Sequence, residues 1–389
     1  MSSIAQNWKN LSGQNNWEGL LDPLNIDLRR YIIHYGERAQ AIIDAFNDQK
    51  MSKGYGLNRF PAEDFFSKVG LEHGNPYKYS LCNFIYARSE IKMFNWIVEG
   101  ESCLIGYVAV ATDEGKGVLG RRDILISWRG IGRHDMDLSE DALVLFVSGS
   151  EIFGESCDGN NVKVHKGFHS VYTAKDLDST YSKTSAREQV IKAVRKLVEK
   201  YKEEEVSITV TGYSLGGAIA ILNAVDIAAN GHNKTTGQSE KTFPVTAIVF
   251  GSPCVGNKDF KKVFDELKDV HVLRIENVHD PVPKLPLIGY VHIGKEVEID
   301  STKSPYLKHG MKIVHNLEVY LHGIAGLKGG DEFELAIERD ISLVNKYLDG
   351  VKDEYFVPLE WWVRHNNGMF QQDDGSWKFD DYVPRPPTP

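Results

Sequence analysis

The segment Gly212-Tyr213-Ser214-Leu215-Gly216 has the pattern G-x-S-x-G. A serine hydroxyl becomes a useful nucleophile only when a base removes its proton and hydrogen-bond donors stabilise the oxyanion that forms. The run VSITVT before this segment predicts a strand and the run LGGAIAILNA after it predicts a helix, which is the setting of a nucleophile elbow. The N–H groups at the start of that helix, that of Leu215 among them, would face the developing negative charge. The pattern therefore predicts that Ser214 is a nucleophile.

Asp280 is the favoured acid to accompany this serine. An elbow of this kind is followed along the chain by an acid and then by a histidine. Asp280 lies in a proline-bounded turn just after the strand-like run VHVLRIEN, where such an acid should stand. Asp259, in a charged helical stretch, and Asp300 are the competing carboxylates. An aspartate before a proline is also a common turn residue, so a purely local role for Asp280 is the simpler alternative.

The base is less well determined by the residues. The candidates are His292, His309, His315 and His322. His292 lies in a strand-like segment too close behind Asp280, and His309 adjoins a glycine in an irregular stretch. His315 and His322 lie near the start and the end of the helix-like run VHNLEVYLHGIAG. Neither composition nor spacing decides between these two.

Short apolar runs alternate with helical patterns through the middle of the chain. The segment TSAREQVIKAVRKLVEKYKEE has apolar residues at helical spacing and a capping box formed by Ser185 and Glu188. Strands and helices that alternate at this pitch predict an α/β fold with a mostly parallel central sheet flanked by helices on both faces. The turn-rich run DEGKGVLGRR separates the first two predicted strands. The predicted strands are CLIGYVAVAT, DILISWRG, VSITVTG, VTAIVFG and VHVLRIEN.

Helical additions are predicted at both ends. Asp22-Pro23 is predicted to open an N-terminal helix with proline at its first position, and apolar residues recur at helical spacing from Leu24 to Phe46. The segment DEFELAIERDISLVNKYLDG predicts a helix before the proline-rich tail VPRPPTP. The predicted division is a helical extension over residues 1–100 packed on the core, a catalytic α/β domain over 101–350, and a C-terminal extension with a flexible tail over 351–389.

Composition and charge exclude several classes of protein. The 389 residues are 42% hydrophobic and 25% charged, as in an ordinary folded protein. The net charge of −9 argues against nucleic acid as a partner and against binding to an acidic membrane by net charge alone, although a local basic patch could still act there. The four cysteines form no CxxC pair, the start lacks a secretory pattern, and no apolar run approaches a bilayer span. These features predict a cytoplasmic protein with no transmembrane segment.

Neither a metal nor a cofactor is predicted. His165 and His169 have the i,i+4 spacing that places two side chains on one face of a helix. Gly167 between them is expected to break a helix, and no acidic ligands follow. The pair is therefore not expected to bind a metal ion.

Three motifs and both ends of the chain resemble one family. The motifs VTGYSLGGAIA, NVHDPVPKLP and HNLEVYLHG together resemble the class 3 (fungal-type) lipases of the α/β-hydrolase fold, and more narrowly the plant phospholipase A1 proteins. The opening NWEGLLDPLNIDLRRYIIHYGERAQ and the closing VPLEWWVRHNNGM are similar to those of the class II, cytosolic plant group. The resemblance runs nearly the whole length, so it implies an α/β-hydrolase lipase domain with N- and C-terminal additions.

This resemblance implies a reaction and assigns roles to the predicted residues. Ser214 is the acyl-enzyme nucleophile and Asp280 the acid that orients the base. The family's histidine opens a segment similar to HNLEVYLH, which favours His315 as the base and keeps His322 as the alternative. The implied activity is release of the sn-1 fatty acid from phospholipids, without metal or cofactor. The substrate would be a phospholipid or another acylglycerol at a membrane or lipid surface.

The predicted oxyanion donors depart from the family pattern. The segment Trp128-Arg129-Gly130-Ile131 resembles the family's RGT or RGS motif, but Ile131 has only a backbone N–H and no hydroxyl. Leu215 would supply the second N–H. The tryptophan usually found soon after is absent from GIGRHDMDLSED, and Tyr213 replaces the histidine that most relatives carry. Losing one oxyanion hydrogen bond can raise the barrier by roughly 2.7–4 kcal/mol. The alternative is therefore a lipase-like protein with weak or no hydrolysis that binds lipids or partners.

The resemblance also implies a lid over about residues 135–165. The apolar run ALVLF, at 142–146, would form its lipid-facing edge, or else another strand or core segment. Preference for a head group depends on pocket shape rather than on motifs. Mono-, di- and galactosyl-acylglycerols are therefore the alternative substrates of an active enzyme.

Overall fold

The protein has an α/β structure built on a seven-stranded sheet. The computed structural model describes residues 3–88, 102–130, 145–154, 161–237, 241–326, 333–362, 369–379 and 382–384. In this part of the chain the strands are β1 (Tyr79–Ala87), β2 (Cys103–Ala111), β3 (Arg122–Trp128), β4 (Phe146–Ser148), β5 (Lys163–His165), β6 (Val206–Tyr213), β7 (Val245–Phe250), β8 (Val270–Asn277), β9 (Lys295–Ile299), β10 (Met369–Gln371) and β11 (Trp377–Phe379).

Helices of very different lengths connect these strands. Short 3-10 helices cover Val282–Lys284, Ser301–Lys303, Ile341–Lys346 and Asp353–Tyr355. The α-helices of the described residues are α1 (Ser3–Leu11), α2 (Ile26–Asp44), α3 (Phe65–Lys68), α4 (Asp113–Leu119), α5 (Ser150–Phe153), α6 (Lys166–Thr173), α7 (Ala186–Lys200), α8 (Leu215–Ala229), α9 (Lys258–Glu266), α10 (Met311–Val314) and α11 (Leu317–Gly326).

The central sheet is mostly parallel, which confirms the prediction. Its strand order is β1-β2-β3-β6-β7-β8-β9. Strands β3, β6, β7, β8 and β9 pair in parallel, whereas β1 and β2 extend one edge as antiparallel strands. The carboxyl ends of parallel strands meet at one edge of the sheet, where ligand sites of open α/β sheets lie. The loops that follow β3, β6 and β8 therefore meet at this edge.

Helices cover both faces of the sheet. One hydrophobic cluster joins the sheet to α7 and α8 and includes Val194, Val210 and Ile219. A second cluster on the other face joins the sheet to α2 and α11 and includes Tyr35 and Leu321. Because both faces are covered, the central strands are near-continuous apolar runs rather than alternating ones.

The first hundred residues contribute to the helical layer and to the sheet. Helices α1 and α2 contact each other, α2 packs against β6, and β1 is the edge strand of the same sheet. The division into residues 1–100, 101–350 and 351–389 stays a prediction.

Local capping explains one helix that the sequence predicted and one that it missed. The Ser185 Oγ accepts a hydrogen bond from the Glu188 backbone N–H, and the Glu188 carboxylate accepts one from the Ser185 N–H, which confirms the capping box. The run DEGKGVLGRR was expected to be a turn, but it contains the short helix α4. Thr112 caps its start through the N–H of Gly115, and Gly120 ends it with a φ of 77°.

Helix α2 begins at Ile26, so the prediction that this helix opens at Asp22-Pro23 was wrong. The Asn25 Oδ1 accepts hydrogen bonds from the N–H groups of Asp27 and Leu28 at 2.9 and 3.2 Å. This side-chain cap satisfies donors that a helix leaves unpaired in its first turn. Capping by Asn25 therefore outweighs the preference of proline for a first helical position.

The prediction that Gly167 would break a helix was also wrong, because Gly167 lies in the first turn of α6. The His165 Nδ1 caps this helix by accepting a hydrogen bond from the Gly167 N–H at 3.1 Å. Across the described ranges no group of three His, Cys, Asp or Glu side chains is placed to hold a metal ion.

The helix predicted for DEFELAIERDISLVNKYLDG is wrong over residues 333–350, which the structure describes. The regular structure in this stretch is the 3-10 helix Ile341–Lys346. The N–H groups of Ala336 and Ile337 donate to the carbonyl oxygen of Ala325 in α11, at 2.9 and 3.1 Å. Tertiary hydrogen bonds therefore replace the local ones that a helix would make.

A buried carboxylate joins the helical layer to the strands. The Asp123 side chain, at the start of β3, is fully buried. It accepts hydrogen bonds from the hydroxyl groups of Tyr35 and Tyr79 at 2.9 and 2.7 Å, and from those of Ser207 and Thr209 at 2.6 and 2.7 Å. Four donors from α2, β1 and β6 therefore stabilise its charge inside the protein.

The Arg121 guanidinium balances this charge. It lies 3.6 Å from the Asp123 carboxylate and is also fully buried. It donates hydrogen bonds to the hydroxyl oxygens of Tyr31 and Tyr35 at 2.6 and 2.8 Å, and it lies 5.0 Å from the ring centroid of Trp8. The pair thus ties α1 and α2 to the amino end of β3.

Replacing Asp123 with alanine is expected to lower the free energy of unfolding by about 3–5 kcal/mol, because Arg121 would become an uncompensated buried charge. Urea denaturation followed by circular dichroism measures this change. Asp265→Ala is the control, since it breaks an exposed i,i+4 pair with Lys261 and should change the free energy by less than about 0.5 kcal/mol. Equal losses in the two variants would contradict the expectation.

Candidate active site

The structure brings the side chains of Ser214, His315 and Asp280 together at the carboxyl edge of the sheet. The Ser214 Oγ lies 3.0 Å from the His315 Nε2, and the His315 Nδ1 lies 2.5 Å from the Asp280 Oδ2. Ser214 joins β6 to α8, Asp280 follows β8, and His315 lies between α10 and α11. Three loops that are separated in the sequence therefore place a hydroxyl, an imidazole and a carboxylate within hydrogen-bond distance of one another in that order.

The turn at Ser214 depends on two glycines. Ser214 has a φ of 55° and a ψ of −124°, a conformation that side chains rarely adopt. A Cβ on Gly212 would lie 2.2 Å from the carbonyl oxygen of Gly216, and a Cβ on Gly216 would lie 2.2 Å from that of Trp128. Only glycine fits at these two positions, so the strand can reverse into α8 and present the serine.

The Asp280 carboxylate is fully buried and accepts three hydrogen bonds. Its Oδ1 accepts from the Val282 N–H at 2.9 Å. Its Oδ2 accepts from the Tyr320 hydroxyl at 2.6 Å and faces the His315 Nδ1. Burial and the neighbouring Asp280 raise the pKa of Tyr320 well above its usual value, so the phenol stays protonated and donates. These donors hold the carboxylate in the orientation that binds His315.

Tyr320 was missed by the sequence reasoning. It stands in the run HNLEVYLHG, close behind His315, and nothing in its local pattern separates it from a core tyrosine of α11. Its hydroxyl meets Asp280 only because α11 packs beside the loop after β8. The one available signal is the Tyr320 hydroxyl itself, because a tyrosine on a helix that is otherwise apolar needs a hydrogen-bond partner when it is buried.

The structure places His322 away from the serine. The His322 Nε2 lies 2.8 Å from the Ser304 Oγ, and its ring stacks on Phe333 with centroids 5.0 Å apart. Burial and the nearby Arg339 lower the pKa of His322 to about 4, so the ring is neutral near pH 7. Geometry therefore favours His315 over His322 as the partner of Ser214.

The remaining candidates also have other partners. The His292 Nε2 lies 3.3 Å from the Cys254 Sγ, and His309 is exposed. Asp259 pairs with Lys262 on the surface of α9. The Asp300 Oδ1 accepts a hydrogen bond from the backbone N–H of Thr302, which is a local contact typical of turn aspartates.

One predicted oxyanion donor is described and the other is not. Leu215 is the first residue of α8, and the first N–H groups of a helix have no acceptor within it. Ile131 lies outside the described residues. A Cβ on Gly130, the residue before it, would lie 2.6 Å from the carbonyl oxygen of Tyr213, so the chain passes directly beside the serine turn before residue 131.

About half of the predicted lid, residues 135–144 and 155–160, lies outside the described residues, and with it positions 142–144 of the ALVLF run. Of that run, Leu145 is about half exposed and Phe146 begins β4, where its ring stacks on Tyr290 at 4.1 Å. The described part of the run thus contains the start of a strand.

This arrangement is able to transfer an acyl group. An imidazole that is hydrogen-bonded to a hydroxyl on one side and to a buried carboxylate on the other can take the hydroxyl proton and keep the resulting charge stabilised. A helix start next to the hydroxyl offers N–H donors to an oxyanion.

Known proteins that are similar to this chain identify its family. A family model described as Lipase (class 3) matches residues 125–290. Phospholipase A1-IIgamma of Arabidopsis thaliana is 49% identical over 97% of this chain and 93% of its own, and Phospholipase A1-II 1 of Oryza sativa subsp. indica is 44% identical over 98% of each. This chain belongs to the class 3 lipase family. The family resemblance and the α/β-hydrolase fold predicted from the sequence are confirmed.

Within this class 3 lipase, the matched region contains Ser214 and Asp280 but ends before His315. Among solved structures, the crystal structure of Lip2 lipase from Yarrowia lipolytica matches 73% of this chain and 83% of its own, with 23% identity and a TM-score of 0.46. In the described ranges, no helix combines the length and the apolar character that crossing a bilayer requires.

His315→Ala is expected to abolish covalent labelling of Ser214 by a fluorophosphonate probe, because no other imidazole lies at hydrogen-bond distance from the serine among the described residues. His322→Gln should be labelled at close to the wild-type rate. Intact-mass spectrometry measures both. If labelling survived in the first variant and disappeared in the second, the base would be His322.

Proposed function

We propose that this chain is a serine carboxylic ester hydrolase, a phospholipase A1 that releases the sn-1 fatty acid from phospholipids. The observation that carries the proposal is the hydrogen-bonded line from Ser214 through His315 to Asp280. The names of the two plant relatives, which match nearly the whole chain, support the same reaction.

In the first half of the reaction, His315 removes the proton of Ser214 as the oxygen attacks the ester carbonyl. Asp280 keeps the imidazole in the tautomer that accepts at Nε2 and stabilises the imidazolium that forms. The N–H groups of Leu215 and Ile131 hold the oxyanion. His315 then donates its proton to the leaving lysophospholipid oxygen, and the acyl group stays on Ser214.

In the second half, His315 removes a proton from water, which attacks the acyl-enzyme. The tetrahedral intermediate again places its oxyanion at the same N–H groups. Collapse returns the proton to Ser214 and releases the fatty acid. Every proton moves through His315, so no metal or cofactor is required.

Ser214→Ala is expected to lower fatty-acid release from phospholipid by at least about 1,000-fold, because the acyl-enzyme cannot form. The measurement is free fatty acid from a phosphatidylcholine dispersion labelled differently at sn-1 and sn-2. Release from sn-1 supports a phospholipase A1, and faster release from mono-, di- or galactosyl-acylglycerols would assign another acylglycerol substrate. Equal activity in wild type and variant would refute the role of Ser214, and a wild type without hydrolysis would favour a lipid-binding protein.

We propose a cytoplasmic location. The thiols of Cys82, Cys103 and Cys254 are free. Free thiols are the usual state of cysteines in the reducing cytosol.

We propose that the protein acts at a membrane or lipid surface through exposed apolar residues next to the site. Leu287 and Ile288 are 78% and 71% exposed, and Met311 is 60% exposed. Large apolar side chains that stand this far out of the protein lose contact with water on entering a lipid layer, which favours binding.

Lysines accompany these apolar residues. Lys284 and Lys312 are exposed, and the segments 284–289 and 308–312 contain no carboxylate. Lys284 follows Asp280 by four residues and Lys312 precedes His315 by three, so chain length alone keeps both within about 15 Å of these residues. Local basic charge on an acidic protein complements an anionic lipid surface.

Leu287→Asp combined with Ile288→Asp is expected to weaken binding to phosphatidylglycerol-containing vesicles by at least about 10-fold, because two apolar side chains no longer enter the lipid. Hydrolysis of a short-chain soluble ester should be unchanged. Vesicle co-sedimentation and esterase assays measure the two effects. Ile26→Asp, at the partly exposed first residue of α2, is the control and should bind vesicles as wild type does. Unchanged binding in the double variant would remove this surface from the proposal.

A further inference from the structure

Tyr213, the residue before Ser214, contacts His315 in two ways. Its hydroxyl donates a hydrogen bond to the backbone carbonyl oxygen of His315 at 2.9 Å. Its ring lies against the imidazole, with centroids 4.9 Å apart and planes inclined by 34°. The two residues are separated by 102 positions in the sequence, so the contact exists only in the folded protein.

The backbone at His315 has little regular structure to hold it. His315 lies between α10 and α11 with a φ of −101° and a ψ of 73°, outside the helical region. Its own N–H makes a long hydrogen bond of 3.3 Å to the Met311 carbonyl oxygen. The start of α11 is capped separately, by the Asn316 side chain. The hydrogen bond from Tyr213 therefore anchors the carbonyl of the residue that carries the imidazole.

We propose that Tyr213 is a positioning residue that keeps the His315 imidazole at hydrogen-bond distance from Ser214. This inference rests on the proposed function. A peptide bond joins Tyr213 to the nucleophile Ser214. The Tyr213 hydroxyl is hydrogen-bonded to the backbone of the base His315, so Tyr213 links the two reacting residues directly. The path is shorter than the one through Asp280 and β8, so it limits independent movement of the two reacting groups.

The chemical state of Tyr213 suits this role. Its side chain is buried, and burial together with the nearby Asp280 raises its pKa well above the usual value. The phenol therefore stays protonated and donates throughout the neutral range. The ring face also attracts the imidazolium that forms when His315 takes the serine proton, since its centroid lies within the roughly 6 Å over which such attraction acts.

The test uses Tyr213→Phe, which removes the hydroxyl and keeps the ring. The expected result is a fall in kcat of about 10-fold on a soluble ester, with KM changed by less than about twofold, because the base is less well aligned while substrate binding is intact. Tyr213→Leu, which also removes the ring, should lower kcat further.

Tyr107→Phe is the matched control. The Tyr107 hydroxyl donates to the carbonyl oxygen of Arg38 at 2.9 Å, and Tyr107 is fully buried in β2. This variant removes the same kind of hydrogen bond away from Ser214. It should lower Tm by a similar amount as Tyr213→Phe and leave kcat unchanged.

A second readout does not depend on turnover. The proton between the His315 Nδ1 and Asp280 is expected to give a low-field proton NMR signal, which should shift or broaden in Tyr213→Phe and stay unchanged in Tyr107→Phe. If kcat and this signal were the same in Tyr213→Phe as in wild type while Tm fell, the role of Tyr213 would be structural only and the inference would be overturned. A wild type without hydrolysis would overturn the proposed function, and the signal would still decide the role of Tyr213.

Discussion

The close approach of helix α8 to strand β3 is the constraint on which the site depends. The carbonyl oxygen of Trp128 occupies the space that a side chain at Gly216 would need, and the carbonyl oxygen of Gly216 does the same at Gly212. These contacts force the chain to reverse within one residue and hold Ser214 at a positive φ. The parallel arrangement of β6, β7 and β8 then brings the loop with Asp280 to the same edge of the sheet. Without that tight turn, the serine would have no fixed position relative to either partner.

The base is held by a second set of buried interactions behind it. Helix α11, which follows His315 and carries Tyr320, also carries Glu318, whose carboxylate lies 2.5 Å from the Arg339 guanidinium. Lys346 lies 3.6 Å from the same carboxylate and 2.8 Å from that of Asp44 at the end of α2. Removing the partner of any one of these charged groups would lower the free energy of unfolding, because a buried charge would be left uncompensated.

This ion network explains the C-terminal stretch that does not form the expected helix. Residues 333–346 bring a guanidinium and an ammonium group to α11 and α2, and a regular helix would direct its N–H groups to its own carbonyls instead. The stretch thus connects the end of α2 with α11, the helix that follows the base. The conformation is decided by charges that lie far apart in the sequence.

Much of the fold follows from local patterns. Val206–Tyr213, Leu215–Ala229 and Ala186–Lys200 form the elements that their apolar spacing and caps indicate, because those signals act between residues that are close in the chain. The nucleophile turn was readable for the same reason, since the small residues that it needs are its own neighbours. The family resemblance was also readable from the sequence, because three motifs and the two terminal segments of the chain carry it. Where a nearby cap competed, as Asn25 did with Pro23, the local pattern misled.

The family resemblance favoured His315 over His322, but only the tertiary structure shows which of the two lies at hydrogen-bond distance from Ser214. Both stand in one short helix-like run, and neither composition nor spacing separates them. Packing turns one towards Asp280 and Ser214 and the other towards Ser304 and Phe333. The hydrogen bonds of Tyr320 and Tyr213 were also invisible in the sequence. Each joins residues that meet only when the sheet and α11 are packed, and a hydrogen bond depends on distance and angle, which residue types and spacing do not contain.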